Sequence, residues 1–346
     1  MVVSALNNPR QLAWGPGGSL LIAEAGRGSL HPGAYNCYTG PEGQTCLGAT
    51  GSVSRVANPR YARDTQPRRV VGGLASSATP EGGNAVGSDG VAYQDGRILA
   101  QETWAPPAAV SEPGLPTGQL GKLLAVSGQS TRAVADIAAV ELTENPDGTD
   151  VNPNPYAILP AGGHRTIVAD AGGNDLITVD HGRTRVLTVF PLHGCGGTFT
   201  EQCDGHSVPT SLAWGRGGAL YVGELAHFEP GEARVWKVSP WTGRPLGWYG
   251  KGGTLCRSDT TGFTTVTGVA FGPDGSMYVS ELTGGADGGG DVVRITPNCH
   301  RSVRSVPLPA GLAVDRHGNV YVSAFGVSDS DGAGGVPPGQ LWRLRF

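Results

Sequence analysis

The chain of 346 residues carries a formal net charge of −4 with no run of like charges, so it offers no electrostatic footprint for nucleic acid or an anionic membrane surface. No apolar stretch approaches the roughly 18 residues needed to span a bilayer, and no membrane insertion is expected. The 57 Gly and 26 Pro sit between β-rich runs, which reads as turns in one large all-β domain over 1–346, a monomer whose partners are small molecules or neutral polymers.

In chain order, VVSAL (2–6) is a short strand, and then six copies of one pattern follow. Each copy has a strand entering on an aliphatic residue, a Gly-rich turn and a second strand, usually ending on a carboxylate. They are LAWGPGGSLLIAE (12–24), VAYQDGRILAQE (91–102), ILPAGGHRTIVAD (158–170), LAWGRGGALYVGE (212–224), VAFGPDGSMYVSE (269–281) and LAVDRHGNVYVSA (312–324). A hairpin repeat of roughly 40 to 50 residues is the signature of a β-propeller. A third strand follows each hairpin, as in GKLLAVS (121–127), DLITVD (175–180) and DVVRIT (291–296). A fourth follows in five cases, as in RRVVGGL (68–74) and TRVLTVF (184–190). The sixth copy ends on its third strand at Phe346, so the strand at 2–6 is expected to complete it, removing the free edges that invite aggregation. The expectation is a six-bladed β-propeller of four antiparallel strands per blade, with blades at about 8–74, 88–140, 154–190, 208–250, 265–308 and 309–346 plus 1–7.

Turns between strands one and two are short, whereas the connections at the opposite face hold long insertions at 25–50, 75–88, 103–117, 141–154, 191–208, 250–265 and 325–339. Variable loops on a rigid scaffold mark the binding face. Six cysteines bear on the compartment. Cys37 with Cys46 and Cys195 with Cys203 bracket loops without the CxxC spacing of zinc sites, and local disulfides are expected. Cys256 and Cys299 remain as a third pair, although the strand order sets them toward opposite ends of a blade, where the Cα separation of a disulfide can fail. Disulfides favour a secreted protein whose signal peptide is absent from this sequence, since MVVSALNNPR lacks the basic and apolar regions of one; the alternative is a cytoplasmic protein.

Several segments are more specific than a generic propeller: ENPDG (144–148) followed by NPY (154–156), VADAGGNDL (168–176), VPTSLAWG (208–215) with YVGEL (221–225), and GFTTVTGVAFGPDGSMYVSEL (262–282). On these the chain resembles the ScyD/ScyE family over nearly its whole length, and more loosely the NHL-repeat and strictosidine-synthase-like six-bladed propellers. The resemblance implies a propeller, commonly exported, some of whose relatives are associated with biosynthesis of the pigment scytonemin. It hands over no catalytic residue.

Residues two places before the first aliphatic of each strand one, Arg10, Asp89, Tyr156, Thr210, Thr267 and Ala310, are expected to ring the mouth of the central channel. Propellers of the gluconolactonase and paraoxonase type place calcium-binding oxygens there. Here one carboxylate faces an arginine, which does not suit an ion wanting six to eight oxygens, so no catalytic calcium is expected and no cofactor is called for. The set suits an organic ligand instead, unless Arg10 and Asp89 simply pair and fill the channel.

Glu24, Glu102, Asp170, Glu224 and Glu281 end the second strands on the same face. They are either desolvated acids and bases or acceptors of backbone hydrogen bonds at the turn. His206 and His227 lie in the flanking loops, near Glu224. Trp104, Tyr35, Tyr38, Phe228 and Phe325 could wall an aromatic ligand or form small cores of their own loops. The acidic loops DGTDVN (147–152) and DSDGAGG (329–335) leave room for a peripheral structural calcium.

Two functions follow. The first is an enzyme of lyase or cyclase type, performing metal-independent acid/base chemistry on a natural product by cyclisation, condensation or elimination. Its catalytic groups would come from Glu102, Glu224, Glu281, His206 and His227, and its substrate contacts from Arg10, Asp89, Tyr156, Thr210, Thr267, Trp104 and Phe325. The alternative is a non-catalytic extracellular propeller that binds a glycan, peptide or protein.

Overall fold

The computed structural model describes residues 1–33, 36–40, 43–105, 114–193, 205–228, 230–258, 261–285, 289–327 and 337–346. They form a six-bladed β-propeller with four antiparallel strands per blade. Contacts divide the chain into two compact units, Met1–Ala138 with Ser323–Trp342 and Ala139–Val322 with Arg343–Phe346. No helix of the described residues is long and apolar enough to cross a membrane.

The first unit opens with β1 (Val3–Leu6), which pairs antiparallel with the last strand, β25 (Gly339–Leu344), through Val3 opposite Leu341 and Leu6 opposite Gly339. That sheet continues through β24 (Val320–Ala324) to β23 (Leu312–Val314), so the N-terminal strand does complete the sixth blade. Blade one comprises β2 (Pro9–Trp14), β3 (Leu20–Glu24), β5 (Gly43–Val56) and β6 (Arg68–Ala78). A fifth strand, β4 (Cys37–Gly40), lies on β5, and neither it nor the extension of β5 and β6 beyond the expected ends is signalled by the repeat. It sets Cys37 directly opposite Cys46, and the two form a disulfide with Cα atoms 3.9 Å apart. Blade two is β7 (Ser88–Gln94), β8 (Arg97–Glu102), β9 (Lys122–Ser127) and β10 (Ser130–Asp136). Leu21, Ala23, Val53, Val71, Leu74, Val91, Ala100 and Leu124 form one core of this unit, each large aliphatic contributing about 1.5–3 kcal/mol by burial.

The second unit holds three full blades. They are β11 (Pro155–Pro160) to β14 (Arg183–Val189), with β12 (Arg165–Asp170) and β13 (Asp175–Asp180) between; β15 (Pro209–Trp214), β16 (Leu220–Glu224), β17 (Val235–Val238) and β18 (Pro245–Tyr249); and β19 (Val266–Phe271), β20 (Met277–Glu281), β21 (Asp291–Ile295) and β22 (Arg301–Ser305). Every residue of the second strands β16 and β20 is buried, which is why these runs are aliphatic at successive positions rather than alternating. A short helix, α1 (Ala138–Glu144), precedes blade three inside what the sequence presents as a loop.

Cys256 and Cys299, the third pair left open by the strand order, form a disulfide with Cα atoms 5.7 Å apart, inside the range a disulfide tolerates. The connection after β18 folds back along that strand, with Leu255 N–H donating to Trp248 O at 3.2 Å, and so returns Cys256 to the turn between β21 and β22. Cys195 and Cys203, and the acidic loop at 329–335, lie outside the described residues.

Candidate functional site

One local device recurs in five blades. The carboxylate closing strand two stands opposite the first residue of strand one: Pro9 with Glu24, Ser88 with Glu102, Pro155 with Asp170, Pro209 with Glu224 and Val266 with Glu281. Immediately afterwards the register shifts, and the residues inside the shift include Arg10, Asp89, Tyr156, Thr210 and Thr267. A bulge bends its strand and re-aims the extra side chain, so the repeat couples each ring carboxylate to one bulged residue.

In the first unit, Arg10 Nε lies 3.3 Å from Asp89 Oδ1, both side chains buried, while its two terminal nitrogens donate to Gly326 O and Ala85 O. Asp89 also accepts from Gly87 N–H at 3.0 Å. Burial lifts its pKa to about 6 against the pull of Arg10. Glu102 is fully buried, and neither of its oxygens has a partner in hydrogen-bond geometry among the described residues. Burial first, with Asp89 adding, pushes it well above the ordinary carboxyl range against the pull of the Ser88 hydroxyl. Glu24 is tied down by contrast, accepting Asn7 N–H at 2.8 Å and the hydroxyls of Ser52 and Ser54. Trp104, half-buried, covers Gly121, and Phe325 stacks edge-on against Trp342 at 6.1 Å. Tyr38 packs in a small core with Leu47, Ala75, Ala105 and Leu120; Tyr35 lies outside the described residues.

In the second unit Thr210 and Thr267 spend their hydroxyl protons between blades, on Val266 O and, at 2.8 Å, on Pro309 O. Tyr156 is partly buried against Ala157, Leu212 and Trp236. Glu281 accepts Thr264 N–H, meets the Arg301 guanidinium at 3.4 Å, and stands opposite Asp291 on β21. Burial, with Asp291 adding, pushes Glu281 up to about 8.

Glu224 is held from three sides. Ser207 Oγ donates to Oε2 at 2.6 Å, Trp236 Nε1 donates to the same oxygen at 2.8 Å, and His193 Nε2 stands 2.9 Å from Oε1. Both His193 ring nitrogens and Glu224 Oε1 are buried with no partner in hydrogen-bond geometry among the described residues, so the approach of His193 to Glu224 is a close contact of ionisable groups. Sequence reasoning missed His193, although it sits in the same long insertion, 191–208, that drew attention to His206. His206 turns elsewhere. Asn174 Oδ1 accepts Val208 N–H at 3.0 Å, which fixes its amide, and Asn174 Nδ2 donates to His206 Nδ1 at 2.6 Å. The ring proton therefore sits on Nε2, 3.6 Å from Asp150 Oδ1. The backbone of His227 lies in the 3₁₀ turn Ala226–Phe228, and Phe228 is exposed.

Blade three carries a further group. Asp170 Oδ1 accepts the amides of Asn154, Gly172 and Gly173 at 2.7, 3.2 and 3.1 Å, while Oδ2 is buried without a partner. Asp175 stands directly opposite on β13, and α1 presents Glu141. Burial raises all three: Asp170 to about 6, Glu141 to about 7 and Asp175 well above its ordinary value. Among the described residues no three His, Cys, Asp or Glu side chains are already grouped so as to hold a metal ion.

No protein-family model matches the sequence, and no curated protein matches it. Solved structures do. A luciferin-regenerating enzyme aligns over 98% of this chain and 92% of its own, with a TM-score of 0.52 and 10% identity. Regucalcin of Agrobacterium tumefaciens, a calcium-binding protein, aligns over 99% and 90% with a TM-score of 0.52 and 12% identity. A putative oxidoreductase (glucose dehydrogenase) of Thermus thermophilus aligns over 99% and 98% with a TM-score of 0.53 and 16% identity. At these identities what is shared is the fold.

Proposed function

We propose that this chain is a small-molecule enzyme performing acid/base chemistry on a natural product, with Glu224 and His193 as its proton-handling pair. One observation carries the reading: a buried carboxylate fixed by Ser207 and Trp236 stands 2.9 Å from a buried histidine, neither of whose ring nitrogens is in hydrogen-bond geometry with a described residue. A carboxylate set beside an imidazole is a recurrent arrangement for taking and returning a proton. At the Arg10–Asp89 position a guanidinium occupies the carboxylate, which supports ligand anchoring over a catalytic calcium there. The resemblance to the ScyD/ScyE family in the segments around Asn154, Asp170 and Glu224 supports a natural-product substrate. The two disulfides, Cys37–Cys46 and Cys256–Cys299, support an exported protein.

The test is turnover. A panel of indolic and phenolic natural products is incubated with the parent protein, Glu224→Gln and His193→Asn, and products are followed by mass spectrometry. Conversion by the parent, lost by about 10²-fold or more in both variants with the fold intact, is the expected result. Equal conversion by all three sinks the assignment, and saturable binding without turnover by the parent passes the chain to the class of binding propellers.

A further inference from the structure

Blade three places acid against acid with nothing between. Asp170 and Asp175 are direct cross-strand partners, where side chains stand close and like charges are unfavourable. Glu141 is brought to the same spot. A side chain on Gly173 would begin 3.0 Å from Glu141 Oε2 and 3.5 Å from Asp170 Cγ, so both carboxyls converge on that glycine. Gly172 is equally constrained, since a Cβ there would meet Asn152 O at 1.7 Å. The AGG of VADAGGND is thus the floor on which helix α1 and the two strand ends meet.

All three acids are at least 98% buried, and four of their oxygens, Glu141 Oε1 and Oε2, Asp170 Oδ2 and Asp175 Oδ1, have no partner in hydrogen-bond geometry among the described residues. The Asn152 amide draws the Glu141 carboxyl downward against its burial but meets neither oxygen in that geometry. No lysine or arginine among the described residues forms an ion pair with any of the three. The charged groups around them are further acids, Glu144, Asp147 and Asp150, with Asp147 held by Asn174 Nδ2 at 2.7 Å and His206 turned to Asp150. Unpaired carboxylate oxygens converging in a buried site are the ligand set of a hard divalent cation.

We propose that Glu141, Asp170 and Asp175 form a structural cation site in blade three, suited to Ca²⁺. Glu141, with both oxygens uncommitted, closes the set by side-chain rotation. The ion neutralises the pair that no side chain neutralises, and it joins α1 to the blade. This site is separate from the Glu224–His193 pair and does not depend on the function proposed for it.

The experiment uses the full chain stripped with EDTA, titrated with CaCl₂ by calorimetry and followed by thermal melting. Saturable heat and a rise in melting temperature are expected in the parent. Glu141→Gln and Asp175→Asn should each lose both responses, while the Asp175→Asn protein without calcium melts higher than the stripped parent because one buried charge is gone. Should Asp175→Asn fail to fold, Glu141→Gln and the calcium content of the purified parent by elemental analysis decide the matter. A parent that takes up no calcium, or a calcium response unchanged in Glu141→Gln, overturns the site; so does a stripped parent whose melting rises on acidification while calcium does nothing, which would give the role to protons.

Discussion

Blades three and five solve the same problem in different ways. In each, the carboxylate ending strand two faces a second carboxylate across the sheet: Asp170 with Asp175, and Glu281 with Asp291. Blade five supplies its own counter-charge, because Arg301 on β22 reaches Glu281 at 3.4 Å. The arginine is itself held, stacked on Phe263 at 4.8 Å and donating to Gly262 O. Blade three has the same cross-strand pair and no such arginine; helix α1 adds Glu141 instead of a cation. An identical repeat position can therefore be self-contained in one blade and left dependent on solvent ions or protons in another. Which it is rests on what the connecting segments bring to the strand ends, not on the strands.

The largest effect should come from breaking the self-contained case. Arg301→Met keeps the length of the stem but removes the charge, leaving a buried acid pair without its cation and Gly262 O without its donor. A loss of about 3 kcal/mol at pH 8 is expected in urea denaturation, at the low end for a broken buried pair because the guanidinium is partly exposed. Adding Glu281→Gln to the same chain should recover part of it, since a neutral amide needs no counter-charge and can still accept Thr264 N–H. If Arg301→Met alone is neutral, blade five is no better compensated than blade three.

The pH dependence sharpens the contrast. A carboxyl whose folded-state pKa is raised holds its proton in the folded chain where the unfolded chain has released it, so stability falls as pH rises through that window. For Glu281 the window runs from the ordinary 4.5 to about 8; for Asp170 it runs from 3.8 to about 6 and for Glu141 from 4.5 to about 7. Stability in EDTA should fall between pH 5 and 8, each group contributing up to about 1.4 kcal/mol per pH unit. Glu281→Gln should flatten the upper end of the curve. Calcium should flatten the part of the curve that belongs to Glu141, Asp170 and Asp175 and leave the contribution of Glu281 in place. A curve that calcium shifts uniformly would mean the two blades do not differ in the way their contacts imply.

Much of the architecture is legible in the sequence because it is local. Strand alternation, Gly-rich turns and the unpaired third strand at Phe346 are read within a few residues of each other, and together they lead to the closing pair of β1 and β25. The carboxylate register was legible for the same reason. What was not legible is each carboxylate's partner. His193 comes to Glu224 from 31 residues away, and Cys256 comes to Cys299 from 43. Helix α1 folds within a segment whose length suggests only a loop, and it delivers Glu141 to a residue on β12. ENPDG and VADAGGND stood out as unusual because both serve this one junction, a fact that spacing along the chain does not carry.

The smallest effect tests that junction without touching a charge. Gly173 is not in the left-handed region of backbone space, so alanine carries no conformational strain there, and its methyl group would instead press on Glu141 Oε2 at 3.0 Å and Asp170 Cγ at 3.5 Å. Glu141 can rotate away and Asp170 cannot, because three backbone amides hold its other oxygen. Gly173→Ala should therefore cost only about 1 kcal/mol in overall stability, the low end for overpacking a core. Its second consequence should be more telling: with Glu141 displaced, the calcium-dependent rise in melting temperature should shrink, while the pH dependence assigned to Glu281 stays as it was. A Gly173→Ala protein that keeps the full calcium response would show that Glu141 and Asp170 do not act on the ion together.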